Sequence, residues 1–319
     1  MVLDIFSDLN TILKKDVPLK LFILNELKII KVCGIDSFNY LQSQFTVDIK
    51  LLNKNNYLIS SHCNNKGKIL SVFYIFKHLK DFYYIQPSNI ANKQIFELKK
   101  YSIFSRLNIE QNSELVLISV LGFKAVSFLE ENFEIKFNKF NNLLICNKDI
   151  FILCFKYPIK HFLIIMHIRD FNNRIKKLNK NIISYDNSYF LSLLIRANFP
   201  IINDKIIGKF FPQNLNLAAN HGLSFDKGCY IGQEMISKIN FSKSNKKSLY
   251  CLFGKYNNLC INSNLIEKQV FGNWYITGKI LNIITISDIY FIIQGVLDKN
   301  LVNDIKLRIY KTNILLKII

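Results

Sequence analysis

Along the first half of the chain, hydrophobic positions recur now at a period of two and now at three to four. Asp36-Ser37 caps a predicted helix whose Phe38, Leu41 and Phe45 share one face. Extended runs follow at Tyr57–Ser61, Ile69–Phe76 and Phe82–Ile85, and Asn64-Asn65-Lys66-Gly67 joins the first two as a hairpin. Ser88 opens a second helix with Ile95, Leu98 and Tyr101 on its buried side, and Leu115–Val120 is strand-like. Three β-rich runs lie between about Asn142 and Met166, then a basic helical stretch near Asp170–Leu178. A helix starting near Ser188 carries the apolar stripe Phe190, Leu191, Leu194 and Ile195 and stops before Pro200. Ile201–Asn220, with Gly208, Pro212 and several Asn, reads as a long ordered loop of the kind that serves function. Beyond about residue 241, strand-like runs come at nearly even intervals: Leu249–Phe253, Trp274–Ile284, Ile289–Val296, Ile305–Tyr310 and Ile314–Ile319. Such spacing predicts a small barrel or sandwich. A boundary in the polar segment Ser242–Ser248 divides residues 1–241 from a carboxy-terminal unit, 242–319.

Composition narrows the class. Half of the 319 residues are apolar and a fifth are charged, which excludes an extended disordered chain and suits two or three subdomains with real cores. The most apolar stretches, Phe151–Met166 and Ile280–Ile293, are broken by Lys156, Lys160, Asn282 and Asp288, so no membrane span is expected. MVLDIFSDLN has no basic region before an apolar one, and a cytoplasmic location is expected. The seven cysteines form no C-x-x-C pair or zinc-finger spacing, so neither a disulfide framework nor a metal site is expected. The net charge is +19, yet only five of the 42 basic residues are Arg. Lys, Ile, Asn, Phe and Tyr share A+T-rich codons, so two readings stand: a solvated lysine surface inflated by coding bias, or a patch facing RNA.

The chemistry concentrates in Leu223-Ser224-Phe225-Asp226-Lys227-Gly228-Cys229-Tyr230-Ile231-Gly232-Gln233-Glu234. Gln233–Ile239 has helical propensity, which sets Cys229 where a loop turns into a helix. A helix amino terminus and the nearby Lys227 both favour thiolate, while Gly228 and Gly232 permit close backbone approach to a ligand. From the residues alone, Cys229 is either a functional thiol or a structural cysteine beside a turn. Gln233 and Glu234 either bond a heterocycle or occupy the first helical turn. His62 and His221 lack a ligand-spaced partner and read as satisfied structural histidines. P-loop, G-x-G-x-x-G, G-x-S-x-G and H-E-x-x-H patterns do not occur, so nucleotide hydrolysis, Rossmann cofactor binding, serine hydrolysis and zinc proteolysis have no motif support.

The string KGCYIGQE after GLSFD resembles the signature of the YgfZ family, folate-binding proteins that take part in tRNA modification. Gly34-Ile35-Asp36-Ser37, Gln42-Ser43-Gln44, the run from His62 to Lys68, Leu98-Lys99-Lys100-Tyr101 with Phe104-Ser105, and Phe211-Pro212-Gln213 are similar to family landmarks in the same order. The resemblance implies an α+β fold shared with the T-protein of the glycine cleavage system: two α+β subdomains around a folate cleft and a carboxy-terminal β-barrel. It implies a cytoplasmic accessory protein, not clearly an enzyme, that binds tetrahydrofolate and supports iron–sulfur enzymes modifying tRNA, with links to control of replication initiation and contact with tRNA. Cys229 would be the essential thiol, with Lys227 keeping it ionised and Tyr230 packing nearby.

The same resemblance assigns folate contacts to Leu27 and Phe190, where relatives carry tryptophan, and to Arg196-Ala197-Asn198, where one-carbon transferases carry a pterin-binding Glu-Ala-Gly. A guanidinium has only donors and cannot replace that carboxylate. Lys243 stands near an arginine of the relatives. A tetrahydrofolate-dependent aminomethyl transferase is the alternative function, and a tRNA-binding module driven by the basic surface is a third.

Overall fold

The computed structural model describes residues 18–319 except 136, 138–142, 148, 176–177, 179–181, 185, 256–262, 300 and 302–304. The amino-terminal segment read above, Asn142 and Cys260 lie outside the described residues.

The first strand, β1 (Lys20–Ile23), and the second, β2 (Leu27–Cys33), enter different sheets. β2 joins β3 (Tyr57–Cys63), β4 (Ile69–His78), β5 (Asp81–Pro87) and β6 (Asn108–Gln111) in a five-stranded sheet of order β3-β4-β5-β2-β6. Helices α1 (Ser37–Gln44) and α2 (Ser88–Lys99) belong to this subdomain. β1 joins β7 (Leu115–Leu121), β8 (Leu144–Asn147), β9 (Ile150–Phe155), β10 (His161–His167) and β11 (Ile183–Ser184) in a six-stranded sheet of order β11-β1-β7-β10-β9-β8. Helix α3 (Ala125–Phe133) packs on one of its faces.

The expected runs of unbroken apolar residues have a physical cause. Along β4, Val72, Tyr74 and Phe76 enter a core shared by all three parts of the molecule, while Phe73 and Ile75 enter a core closed by Tyr40, Leu41 and Leu98 of α1 and α2. β10 behaves likewise, with Leu163 and Ile165 in the shared core and Phe162, Ile164 and Met166 in the core beneath α3. A strand buried on both faces loses the alternation of a half-exposed one.

Helix α4 (Ser188–Arg196) leads into the segment 201–223, whose Ile201, Ile202, Ile206, Leu215, Leu217 and Leu223 are buried in the shared core. This connection is therefore a packed strap with a 3-10 turn at Pro212–Leu215. Helix α5 (Gln233–Phe241) follows the signature loop. The remaining strands, β12 (Lys247–Lys255), β13 (Leu265–Val270), β14 (Asn273–Thr285), β15 (Tyr290–Asp298), β16 (Leu307–Ile309) and β17 (Leu315–Ile318), close into a barrel of order β12-β15-β14-β13-β16-β17. β13 was not expected from the sequence. Its Glu267 is buried and pairs with Arg308 Nε at 2.8 Å directly across the β13–β16 ladder, on the face opposite the one by which Ile266, Leu307 and Ile309 enter the barrel core.

Amides fasten the barrel to the strap. Gln294 Nε2 donates to Phe199 O at 2.7 Å, and its Oε1 accepts from Ile201 N at 3.0 Å. Asn216 Nδ2 donates to Leu249 O, while its Oδ1 accepts from Ser248 Oγ and Leu249 N. Among the described residues no helix is long and apolar enough to cross a membrane.

Candidate functional site

The signature loop has little regular structure before α5, so side chains and main-chain bonds must position it. Ser224 N donates to Thr46 O at 2.9 Å, Thr46 Oγ1 donates to Gly222 O at 2.7 Å, and Ile231 N donates to Ser43 O at 3.0 Å. Lys227 adds two bonds, from Nζ to Phe45 O at 2.8 Å and to Val47 O at 2.7 Å. The loop is thus pinned along residues 43–47 on both sides of Cys229. Cys229 itself is exposed at the free span between those anchors, and Gly228 beside it has open space where a Cβ would go.

The expected partnership of Lys227 with the thiol takes a different form. The Lys227 side chain is buried, its ammonium is committed to two carbonyls, and it lies 5.2 Å from the Tyr230 ring centroid. A buried ammonium without acceptors is costly, so it takes the nearest main-chain oxygens. Burial pulls its pKa down to about 8, against the opposing influence of Asp48. Lys227 holds the loop in place, and no bond from it to Cys229 is formed.

Gly232 also departs from expectation. Its φ is +80°, and a Cβ there would lie 2.5 Å from Asn64 O and 2.7 Å from Gly67 Cα. The close approach that glycine permits here is to the β3–β4 hairpin turn. Gln233 serves the loop as well, accepting from Tyr230 N through Oε1 at 3.1 Å. Glu234 is exposed in the first turn of α5, where a carboxylate offsets the helix dipole. Tyr230 packs into the shared core. Its Oη has no partner, and burial raises its pKa. Lys243 is exposed just past α5 with φ +49°.

The residues expected at folate divide. Leu27 and Phe190 line one cavity of about 430 Å³, together with Tyr74, Phe199 and Leu194. Arg196 is not among its walls. It stands two residues past Leu194, about 200° further round α4, and its charge is felt by Tyr189 and Cys251. Nη1 of Arg196 is buried without a hydrogen-bond partner. The carboxylate on the cavity rim is Glu26. Sequence reasoning passed over it, although it directly precedes Leu27. Asn203 and Asn282 also line the cavity, but their amides bond each other, Leu281 O, Ile201 O and Gln294.

His62 is likewise not the satisfied histidine expected. It is 1% exposed, burial lowers its pKa to about 3, and its Nε2 has no hydrogen-bond partner. A separate open groove of about 940 Å³ runs between the barrel and residues 205–210, with Lys205, Lys209 and Lys279 on its walls.

Two α+β subdomains closed by a six-stranded barrel define the aminomethyltransferase fold. The chain superposes on glycine cleavage system aminomethyltransferase T from Bartonella henselae with a TM-score of 0.71, covering 96% of this chain and 86% of that one at 17% identity. A model of the YgfZ β-barrel domain matches residues 245–312. The tRNA-modifying protein YgfZ of Buchnera aphidicola subsp. Schizaphis graminum is 39% identical over 296 residues, covering 93% of this chain and 92% of the relative. The protein of the same name from Serratia proteamaculans is 34% identical, covering 92% and 88%. The chain belongs to the YgfZ family.

Proposed function

We propose that this protein is a folate-binding accessory protein of tRNA modification that acts through the Cys229 thiol, in support of iron–sulfur enzymes that modify tRNA and with a link to control of replication initiation. The observation that carries the reading is the exposed Cys229 on a span anchored at both ends. Anchoring of that kind holds a reactive atom in one place while leaving it open to a partner. The names of the relatives support the tRNA role. The lysine-walled groove beside the barrel supplies cations suited to an RNA backbone.

The cavity beneath α4 fits the ring system of a folate. Its 430 Å³ lies in the range of about 300–1,000 Å³ that holds small ligands. Phe190, Phe199 and Tyr74 would form apolar walls, and Glu26 would accept from a ring N–H and the exocyclic amine together. Bound tetrahydrofolate supplies a carrier for one-carbon groups. A rim carboxylate beside that ring also favours the second reading, an aminomethyl transferase. Turnover of tetrahydrofolate with an aminomethylated carrier protein supports the transferase, and none supports the accessory role.

The principal test is complementation of a strain lacking its own family member, read as modified nucleosides in total tRNA. Wild-type protein should restore them, and Cys229→Ala should leave them at the level of the empty strain with its fold unchanged. Full restoration by Cys229→Ala overturns the proposal.

A further inference from the structure

The β13–β14 hairpin turns over two residues, with Val270 paired to Asn273 across it. Both turn residues have positive φ, Phe271 at +48° and Gly272 at +84°. Glycine takes that conformation freely, whereas a bulky side chain is strained in it and asparagine or aspartate is the usual occupant. The Phe271 ring gains no burial in return, for it is fully exposed. A strained ring without packing at a surface tip points to contact with something outside the chain.

Behind the tip, β14 turns one face outward. Trp274 and Ile276 pair across the ladder with Gln269 and Glu267, on the side opposite the barrel core. A bulge at Thr277 adds one residue to the strand, so Lys279, opposite Leu265, returns to that same face. Trp274 is half-buried and Ile276 is 55% exposed. Arg308 Cζ lies 4.1 Å from the Trp274 ring centroid while its Nε is held by Glu267, so this guanidinium orients the indole and its charge is already paired. The unpaired charge lies further along the strand, roughly 17 Å from Trp274. Ile276 and Lys279 are also walls of the groove of about 940 Å³, which Lys205 and Lys209 line as well. Lys205, Lys209 and Lys279 are exposed and, among the described residues, in no ion pair, whereas Lys247 of the same lining is held by Asp298. The described lining contains no carboxylate.

An exposed ring, an oriented indole and an apolar shelf leading to lysines without counter-charge match the two parts of an unpaired RNA strand. Its bases stack on aromatic side chains and its phosphates follow cations. Lysines alone would take any polyanion, and the rings are what select unpaired bases. We infer that unpaired nucleotides of an RNA lie along the outer face of β14, with bases on Phe271 and the exposed part of Trp274 and the backbone running into the groove past Lys279, Lys205 and Lys209. The inference rests on the tRNA reading above and names the surface that holds the RNA.

Trp274 is the only tryptophan of the chain, so its emission reports on this face directly. The test titrates the protein with a short single-stranded RNA and with the same backbone made fully abasic, reading Trp274 emission and the fluorescence anisotropy of the labelled strands. The base-containing strand should quench the emission and bind about tenfold more tightly than the abasic one, which should leave the emission unchanged. Phe271→Asn suits the turn better than the natural residue, so it keeps the fold, and it should lose most of that difference while binding the abasic strand as the wild type does. Lys205→Gln, Lys209→Gln and Lys279→Gln combined should weaken both strands and lower the slope of log affinity against log salt by about 0.7 for each lysine. Equal affinity for both strands with unmoved emission overturns the inference, and so does wild-type discrimination by Phe271→Asn. Quenching by poly-L-glutamate equal to that by RNA also overturns it, since the face would then read charge alone. In each of these cases salt-dependent binding of whole tRNA would still uphold the tRNA reading. Absence of any RNA or tRNA binding at low salt overturns both.

Discussion

The apolar cavity beneath α4 and the signature loop are held together by opposite means. Rings and branched side chains from both subdomains, α4 and the strap shape the cavity, and they are kept there by burial, which has no direction. The loop has almost no regular structure and is held by directional bonds to residues 43–47 and by one glycine-to-glycine contact. A site set by burial tolerates changes that conserve volume, whereas one set by close contact fails at a single added atom.

Substitution in the loop should therefore have the largest effect. Gly232→Ala places a methyl 2.5 Å from Asn64 O at a φ of +80°. Backbone strain and the forced shift together should cost ~2–5 kcal/mol. Leu27→Met, at the cavity wall, should cost less than about 1.5 kcal/mol. Urea unfolding of the two variants measures the difference, and equal losses would break the contrast.

Each region also encloses a neutral histidine. His62 lies on the loop side with a pKa of about 3, and His161, whose ring meets Phe190 edge-on, has a pKa of about 4, both lowered by burial. Between those values and the ordinary 6.5, the unfolded chain binds protons that the native protein does not. Stability from these groups is full above pH 6.5 and is lost as pH falls toward 4 and 3. The expected slope is about 1.4 kcal/mol per pH unit for each histidine. Unfolding free energies measured from pH 7 to 4 should be steeper for the wild type than for His62→Phe, and parallel slopes would contradict the neutral assignment.

Lys227 titrates at the other end of the scale. Its native pKa of about 8 lies below the unfolded value of 10.5, so the unfolded chain holds the extra proton between those limits and wild-type stability rises with pH across them. Lys227→Met leaves Phe45 O and Val47 O without their donor and should cost ~1–3 kcal/mol at neutral pH. Because the variant lacks the alkaline rise, the gap should widen from pH 8 to 10.5. A gap that narrows would mean that the two carbonyls favour the ammonium by more than burial disfavours it.

What could be seen in the sequence follows the same division. The hairpin at residues 64–67 and most barrel strands were legible because burial writes a period into the residues beside it. Contacts between distant segments write nothing locally. Asp36 was expected to cap α1, yet its carboxylate accepts from Arg106 N, 70 residues away. Tyr101 was expected inside and is 52% exposed. Lys227 reads as a neighbour of Cys229, and only the fold brings Phe45 and Val47 to its ammonium. Within the loop, residue types marked where the chemistry lies but not which residue anchors and which is free.

The smallest expected effect lies at the folate cavity and separates two residues that sequence alone could not rank. Glu26 is on its rim and Arg196 is not among its walls, since Arg196 lies across α4 from Leu194. Glu26→Gln keeps one acceptor oxygen but replaces the other with a donor, so it loses the paired recognition of a ring N–H and amine. Calorimetric titration with tetrahydrofolate should show affinity weakened about tenfold, or ~1.4 kcal/mol. Arg196→Glu should leave it unchanged. If Arg196→Glu strengthens binding and Glu26→Gln does nothing, the pterin ring meets the chain from the Arg196 side of α4, and the apolar cavity is not where folate sits.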